Sequence, residues 1–154
     1  MRTKKKEKRI LLPDPVYNST AVSKFANNIM KGGKKSVARR VIYDAFGIIK
    51  SKKSDPLEVF DLALKNVGPS LEVKSKRIGG ANYQVPRPVA KDRKVALAMR
   101  WIINAARSKK GKPFGERLAE ELVLASKNEG AAVKKKNDTH RMAEANRAFA
   151  HFGW

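Results

Sequence analysis

Residues 71–89 break the rhythm of the rest of the chain. Leu71, Val73, Ser75 and Arg77 alternate with Glu72, Lys74, Lys76 and Ile78. After Gly79-Gly80-Ala81-Asn82, the residues Tyr83, Val85, Arg87 and Val89 alternate with Gln84, Pro86 and Pro88. Period-two alternation around a glycine-rich turn predicts a β-hairpin. Pro86 and Pro88 cannot donate ladder hydrogen bonds, so a third strand is not expected on that side. Nothing else in the sequence alternates in this way. A single hairpin cannot enclose a core, so the core has to come from helices. The expected class is mainly α: about six helices with one protruding two-stranded antiparallel β-hairpin arm. Each strand of about eight residues would reach ~25 Å. An isolated hairpin is marginal in water, so this one is expected to be mobile until it meets a partner.

The helices are read from spacing near 3.6 and from their punctuation. Val22, Phe25, Ala26, Ile29 and Met30 follow an N-cap at Asn18 or Ser19 and stop at Gly32-Gly33. Ser36 is expected to cap a second helix through about Lys50, with Val37, Val41, Ala45 and Ile48 beside Ile42, Phe46 and Ile49. Asp55-Pro56-Leu57-Glu58 opens a third, with Asp55 as cap and Pro56 in the first helical position. Gly68-Pro69 ends it. Residues 92–108 are apolar almost all round, which predicts a central helix. A fifth helix, about 115–127, puts Leu118, Ala119, Leu122, Val123 and Ala125 inside and Glu116, Glu120 and Glu121 outside. A sixth runs from about 132 to 149 on a thin stripe of Val133, Met142, Ala145 and Phe149. Phe25, Phe46, Phe60 and Trp101 are expected in the core. Residues 1–12 read as a basic arm and 13–154 as a single helical domain carrying the hairpin.

Charge decides the partner. The 154 residues hold 35 Lys plus Arg against 14 Asp plus Glu, a net charge of +21. Residues 1–54 carry a net +12 and residues 72–113 a net +10, whereas 55–71 and 114–130 are each −2. A solubilising coat would mix its signs. This segregation predicts one basic face and one ordinary face, the footprint of a nucleic-acid binder. There are no cysteines, which excludes a disulfide framework, a thiolate zinc site and a cysteine nucleophile. No apolar run approaches the ~20 residues of a membrane span, and the basic N-terminal residues lack a signal peptide's apolar stretch. A cytoplasmic protein with no membrane partner is expected.

The contact residues follow from the charge. Arg2, Lys4, Lys5, Lys6, Lys8 and Arg9 form the arm, and Lys34 and Lys35 follow a glycine pair at a helix start, where amides attract anions. Lys74, Lys76, Arg77 and Arg87 offer phosphate contacts on the hairpin, beside Tyr83 as a stacking aromatic. Lys91, Arg93 and Lys94 open the fourth helix. Gly32-Gly33-Lys34-Lys35-Ser36 lacks the spacing and preceding strand of a P-loop. His140 and His151 have no partners that would make a metal or acid–base site. No cofactor, metal or catalytic residue is expected. Phe149, His151, Phe152 and Trp154 form an apolar C-terminal group expected to dock on the core or on another protein.

Lys76-Arg77-Ile78-Gly79-Gly80-Ala81-Asn82-Tyr83-Gln84-Val85-Pro86 resembles the signature of the bacterial small-subunit ribosomal protein seven family. Gly33-Lys34-Lys35 with Val41-Ile42-Tyr43-Asp44-Ala45 resembles a second motif. Ala132-Val133-Lys134-Lys135-Lys136 and the run from Arg141 to His151 resemble a third. The resemblance covers nearly the whole chain. It implies a helical domain with a β-ribbon that binds the 3′ major domain of small-subunit ribosomal RNA and nucleates assembly of the subunit head. It also implies a place on the subunit-interface side. Gly79, Gly80, Ala81, Asn82 and Tyr83 would lie near the exit-site transfer RNA and messenger RNA path, and small-subunit proteins nine and eleven would be neighbours. The competing class is an architectural duplex-DNA-binding protein with a basic β-arm. Such arms usually belong to obligate dimers, whereas the apolar fourth helix here predicts a self-sufficient monomer. An RNA-modifying enzyme would need a cofactor motif or an acid–base set, and the sequence has neither.

Overall fold

The computed structural model describes residues 11–152. The arm residues Arg2, Lys4, Lys5, Lys6, Lys8 and Arg9, and Trp154, lie outside the described residues. In chain order the elements are α1 (Thr20–Ile29), α2 (Lys35–Ser51), α3 (Pro56–Val67), β1 (Leu71–Ile78), β2 (Ala81–Pro88), α4 (Lys91–Ser108), α5 (Phe114–Ser126), α6 (Ala131–Ala145) and a 3-10 helix (Arg147–Phe152). The two strands form the one sheet among these residues, antiparallel, with Leu71 opposite Pro88 and Ile78 opposite Ala81. The fold is mostly helical with a single hairpin, as the sequence predicts.

The starts of α1 and α3 follow side-chain chemistry. Ser19 Oγ accepts from Val22 N at 3.4 Å, and Asp55 Oδ1 accepts from Leu57 N at 3.1 Å with Pro56 in the first turn. The second helix departs from expectation. It begins at Lys35 with Lys34 as N-cap, and no side chain caps it, so Ser36 lies inside the helix.

The core is a helical assembly built around α5, which packs on α2, α3 and α4. At its centre Phe25 meets Phe60 with ring centroids 5.1 Å apart, Phe60 meets Phe46 at 5.8 Å, and Tyr17 stands edge-on to Phe46 at 4.9 Å. Phe25, Phe46 and Phe60 are fully buried, and Trp101 is partly buried against the core. Gly115 permits the close approach of α5 to α2: a Cβ there would lie 3.2 Å from Asp44 Cβ.

Two carboxylates depart from the usual surface role. Asp14 is buried and accepts from Val16 N, Tyr17 N and the Tyr43 hydroxyl, pinning the entry to the domain against α2. Glu121, expected outside, is fully buried. Its Oε1 accepts from Ala132 N at 2.9 Å, and its Oε2 pairs with Lys109 Nζ at 2.8 Å. The N-cap of α6, Gly130, has no side chain to offer, so a residue of α5 satisfies this first-turn amide instead. Gly130 has φ +92, and a Cβ on it would stand 2.9 Å from Glu121 Oε1.

The sixth helix also differs. Its buried stripe is Ala132, Val133, Thr139 and Ala143, while Met142 and Ala145 face solvent. It stops at Ala145 rather than Phe149. Asn146 caps it, with its Nδ2 donating to Met142 O at 2.7 Å, and the chain continues as a 3-10 turn. That turn lies against β2, so the hairpin is docked along part of its length.

Candidate nucleic-acid interface

The turn between α1 and α2 presents the first predicted contacts. Gly32 and Gly33 have φ of +57 and +74, with open space where a Cβ would lie, so the need for glycine is conformational. Lys34 N donates to Lys31 O at 3.2 Å, and Lys35 N to Gly33 O at 2.8 Å. Lys34 is exposed and Lys35 half-buried. The uncapped start of α2 adds its partial positive charge.

Beside this turn lies a groove of about 470 Å³ whose cations come from three elements: Lys31 and Lys34 from the turn, Arg107 from α4 and Arg117 from α5. Val37 and Phe114 supply apolar wall, and Val37 is 52% exposed. Arg107 is anchored by donating to Ile29 O at 3.0 Å. Arg117 donates to the Lys109 carbonyl, with its guanidinium 5.5 Å from the Phe114 ring centroid.

Arg107 also lines a smaller pocket of about 200 Å³ with Asn28, Arg100, Ile103 and Asn104. Arg100 and Asn104 are exposed, and neither side chain makes a hydrogen bond or ion pair among the described residues. Further along the α1–α4 seam, Lys24, Asn27 and Asn28 face Asp92, Val95 and Met99, and Leu11 brings the chain in from the N-terminal arm at this point. The start of α4 then reaches the hairpin base. Arg93 donates through Nε and Nη2 to Glu72 Oε2 at 3.1 and 3.0 Å. Lys91 and Arg93 are exposed. The seam therefore joins the arm's exit, the Lys34-Lys35 turn, α4 and the hairpin base into one strip.

Arg100, Asn104 and Arg107 were not singled out by the sequence reading, because an almost wholly apolar helix hides a one-residue-wide polar stripe. Their spacing along α4 was the available signal. Lys94 lies elsewhere. Its stem covers Gly68, where a Cβ would stand 2.8 Å from the Lys94 chain, and it lies on the His140 side of the helix.

The hairpin register separates its predicted residues. Lys74 stands opposite Val85, Lys76 opposite Tyr83 and Glu72 opposite Arg87, all on one face. Arg77, opposite Asn82, is on the other. The two-residue turn Gly79-Gly80 has φ of +56 and +91, and Ala81 and Asn82 already belong to β2. Gly79, Gly80, Ala81 and Asn82 are exposed. Tyr83 is not: Phe149 and Phe152 lie 5.2 and 5.3 Å from its ring centroid. Lys76 Nζ donates to Phe152 O at 3.1 Å. Arg87 is half-buried, and His151 is exposed with its ring 4.0 Å from that of Phe152.

His140 is structural. Its Nε2 accepts from Ser70 N at 3.0 Å, which requires an unprotonated nitrogen. Burial, then Lys136 and Lys94, push its pKa below the ordinary histidine value. Among the described residues no group of three His, Asp or Glu could hold a metal ion, and no helix is long and apolar enough to cross a membrane. Two carboxylates border the strip, Asp92 in the α1–α4 seam and Glu72 paired with Arg93 at the hairpin base. Asp55, Glu58 and Asp61 line a groove on α3, and Glu120 pairs with Lys112. The strip is suited to holding phosphates, with apolar wall for a base, and has no arrangement for moving a proton.

The family model for ribosomal protein S7p/S5e matches residues 1–147. The small ribosomal subunit protein uS7 of Thermotoga neapolitana is 56% identical over 155 residues, covering 100% of both chains. The protein of the same name from Thermotoga maritima is equally similar over the same span. That from Moorella thermoacetica is 56% identical over 148 residues, covering 96% of this chain and 95% of its own. With a family model along almost its entire length and relatives this similar end to end, the chain belongs to the ribosomal protein S7p/S5e family.

Proposed function

We propose that this protein is a structural constituent of the small ribosomal subunit that binds the 3′ major domain of its RNA and nucleates assembly of the head. Members of this family are structural ribosomal proteins, not enzymes. The observation that carries the RNA reading is the continuous strip from the Lys34-Lys35 turn, along Arg107 and Arg100, to Arg93 at the hairpin base. Lysines and arginines from separate elements at fixed separations suit an RNA junction, where several helices bring their phosphates together. A-form RNA hides its major groove, so recognition rests on backbone shape and on unpaired bases. The groove beside Val37 and Phe114 suits one such base, with Lys31, Lys34, Arg107 and Arg117 around its phosphates. Arg100 and Asn104 suit a further phosphate. The basic residues Arg2, Lys4, Lys5, Lys6, Lys8 and Arg9 precede Leu11 in the sequence and supply further cations for phosphate. A rigid protein that holds RNA helices at set angles removes part of the ordering entropy from later assembly steps.

The finer placement follows the family resemblance. The tip Gly79–Asn82 lies near the exit-site transfer RNA and messenger RNA, and proteins nine and eleven are neighbours on the side away from the strip. The test is a titration against a transcript of the 3′ major domain, an unrelated structured RNA of equal length, and duplex DNA. A preference for the first that survives added salt supports the proposal. Equal and steeply salt-sensitive binding to all three would refute it in favour of charge alone.

A further inference from the structure

We infer that the 3-10 helix Arg147–Phe152 is a clasp that sets the direction of the β-hairpin, with Phe149, Phe152, Tyr83 and Lys76 as positioning residues and not RNA contacts. This rests on the RNA-binding reading above for its purpose, and on the hairpin's own geometry for its mechanism. A two-stranded hairpin with no neighbouring strand depends on the helices beneath it for its angle to the body, here α6 and the 3-10 helix. Here one cross-strand pair is engaged on both sides. Tyr83 packs against both Phe149 and Phe152, whose own rings are near-parallel with centroids 6.4 Å apart. Its partner across the ladder, Lys76, donates to the Phe152 carbonyl. Next along the same face, Val85 is fully buried.

Toward the tip the other face is open, with Ser75, Arg77, Asn82 and Gln84 all exposed, whereas at the base its Leu71, Val73 and Pro86 are half-buried. The geometry divides the hairpin into a docked face and a presenting face. The side of Tyr83 that meets the two phenylalanine rings is closed to a base. Its aromatic character is used to hold the arm, and Arg77 and Asn82 are left to meet the ligand. The clasp thereby fixes, before binding, a segment that would otherwise be ordered at the moment of binding.

The test compares the full-length protein with its Phe149→Ala/Phe152→Ala variant by amide hydrogen exchange without RNA, and by titration with the 3′ major domain transcript. Two aromatic contacts of ordinary strength predict roughly tenfold faster exchange at residues 81–88, with α4 and α5 unchanged. Affinity should fall by roughly threefold to thirtyfold with an unaltered salt slope, because no cation is removed. Tyr83→Phe keeps the ring and should leave both readouts at the parent value. Arg77→Gln should weaken binding and shallow the slope while hairpin exchange stays the same. Unchanged exchange in the double variant would overturn the clasp. Faster exchange with unchanged affinity would overturn its role in positioning. Failure of the parent protein to prefer the transcript would instead refute the RNA reading, and the exchange comparison would still stand or fall alone.

Discussion

Removing the Glu121 carboxylate tests the least expected joint in the fold. In Glu121→Ala, Ala132 N loses its acceptor, and the buried first turn of α6 has no side-chain cap to replace it. Stranding a buried N–H costs about 1–3 kcal/mol. Lys109 also loses its partner, but its side chain is 29% exposed and can turn to water, so that loss is the smaller one. Together with the space left by the side chain, a destabilisation of about 3 kcal/mol is expected. Domains of this size shift by roughly 2–4 °C for each kcal/mol, so the midpoint should fall by about 6–12 °C. Glu121→Gln keeps an oxygen for Ala132 N while removing the ion pair, and should recover at least half of the loss. Urea unfolding of the three proteins in moderate salt, with thermal melts alongside, measures this. If Gln were as damaging as Ala, the carbonyl-like acceptor would not matter and the capping argument would be wrong. A loss below about 1 kcal/mol for Ala would refute the burial argument too.

Other expectations can be checked on the same material. Neutralising Lys34 and Lys35 together should weaken RNA binding and reduce the log–log salt slope by about 1.4–1.8; an unchanged slope would remove this turn from the interface. Tyr43→Phe deletes the hydroxyl that donates to buried Asp14 at 3.0 Å and should cost about 1–2 kcal/mol in denaturant unfolding; no cost would show that the Asp14 joint is held by its backbone donors alone. The folded-state pKa of His140 is depressed, so unfolding takes up a proton. Its contribution to stability is complete above the unfolded value of about 6.5 and is lost as pH falls below that toward the folded value. The difference in unfolding free energy between the parent and His140→Gln should therefore shrink between pH 7.5 and pH 5, as followed by urea unfolding at each pH; a pH-independent difference would contradict an unprotonated Nε2 at the Ser70 amide. Phe60→Ala should cost about 3–5 kcal/mol, since Phe60 touches both other rings of the central cluster; a melt close to that of the parent would place the cluster outside the cooperative core.

The two classes of element were unequally legible. Asp55-Pro56, Gly32-Gly33 and Gly79-Gly80 act on their immediate neighbours, and the helix and hairpin boundaries they mark agree with the structure to within a few residues. The start of α2 differs because Ser36 is a good cap only if the chain enters the helix there, and the glycine pair delivers it two residues earlier. The outer face assigned to α5 failed at Glu121 because amphipathicity averages over a helix. A single carboxylate can be drawn inside when Lys109 and an uncapped amide meet it there. The stripe expected on α6 was Val133, Met142, Ala145 and Phe149. The structure keeps Val133 of that stripe and buries Ala132, Thr139 and Ala143 beside it, while Met142 and Ala145 face solvent.

The interface divides in the same way. Its positive charge, the hairpin and the absence of any thiolate chemistry are properties of composition and local spacing, and the order of residues determined them alone. Which cations share a surface was decided only when α1 packed against α4. That contact brings Lys31 and Lys34 beside Arg107, and Asn28 beside Arg100, across some seventy residues of chain. The direction of Tyr83 was decided later still, by a C-terminal turn sixty-six or more residues away that covers one face of the ladder. Local sequence sets backbone preference and charge because these act within a turn or two. Adjacency between distant side chains depends on how buried surfaces fit together, and that is a property of the packed whole.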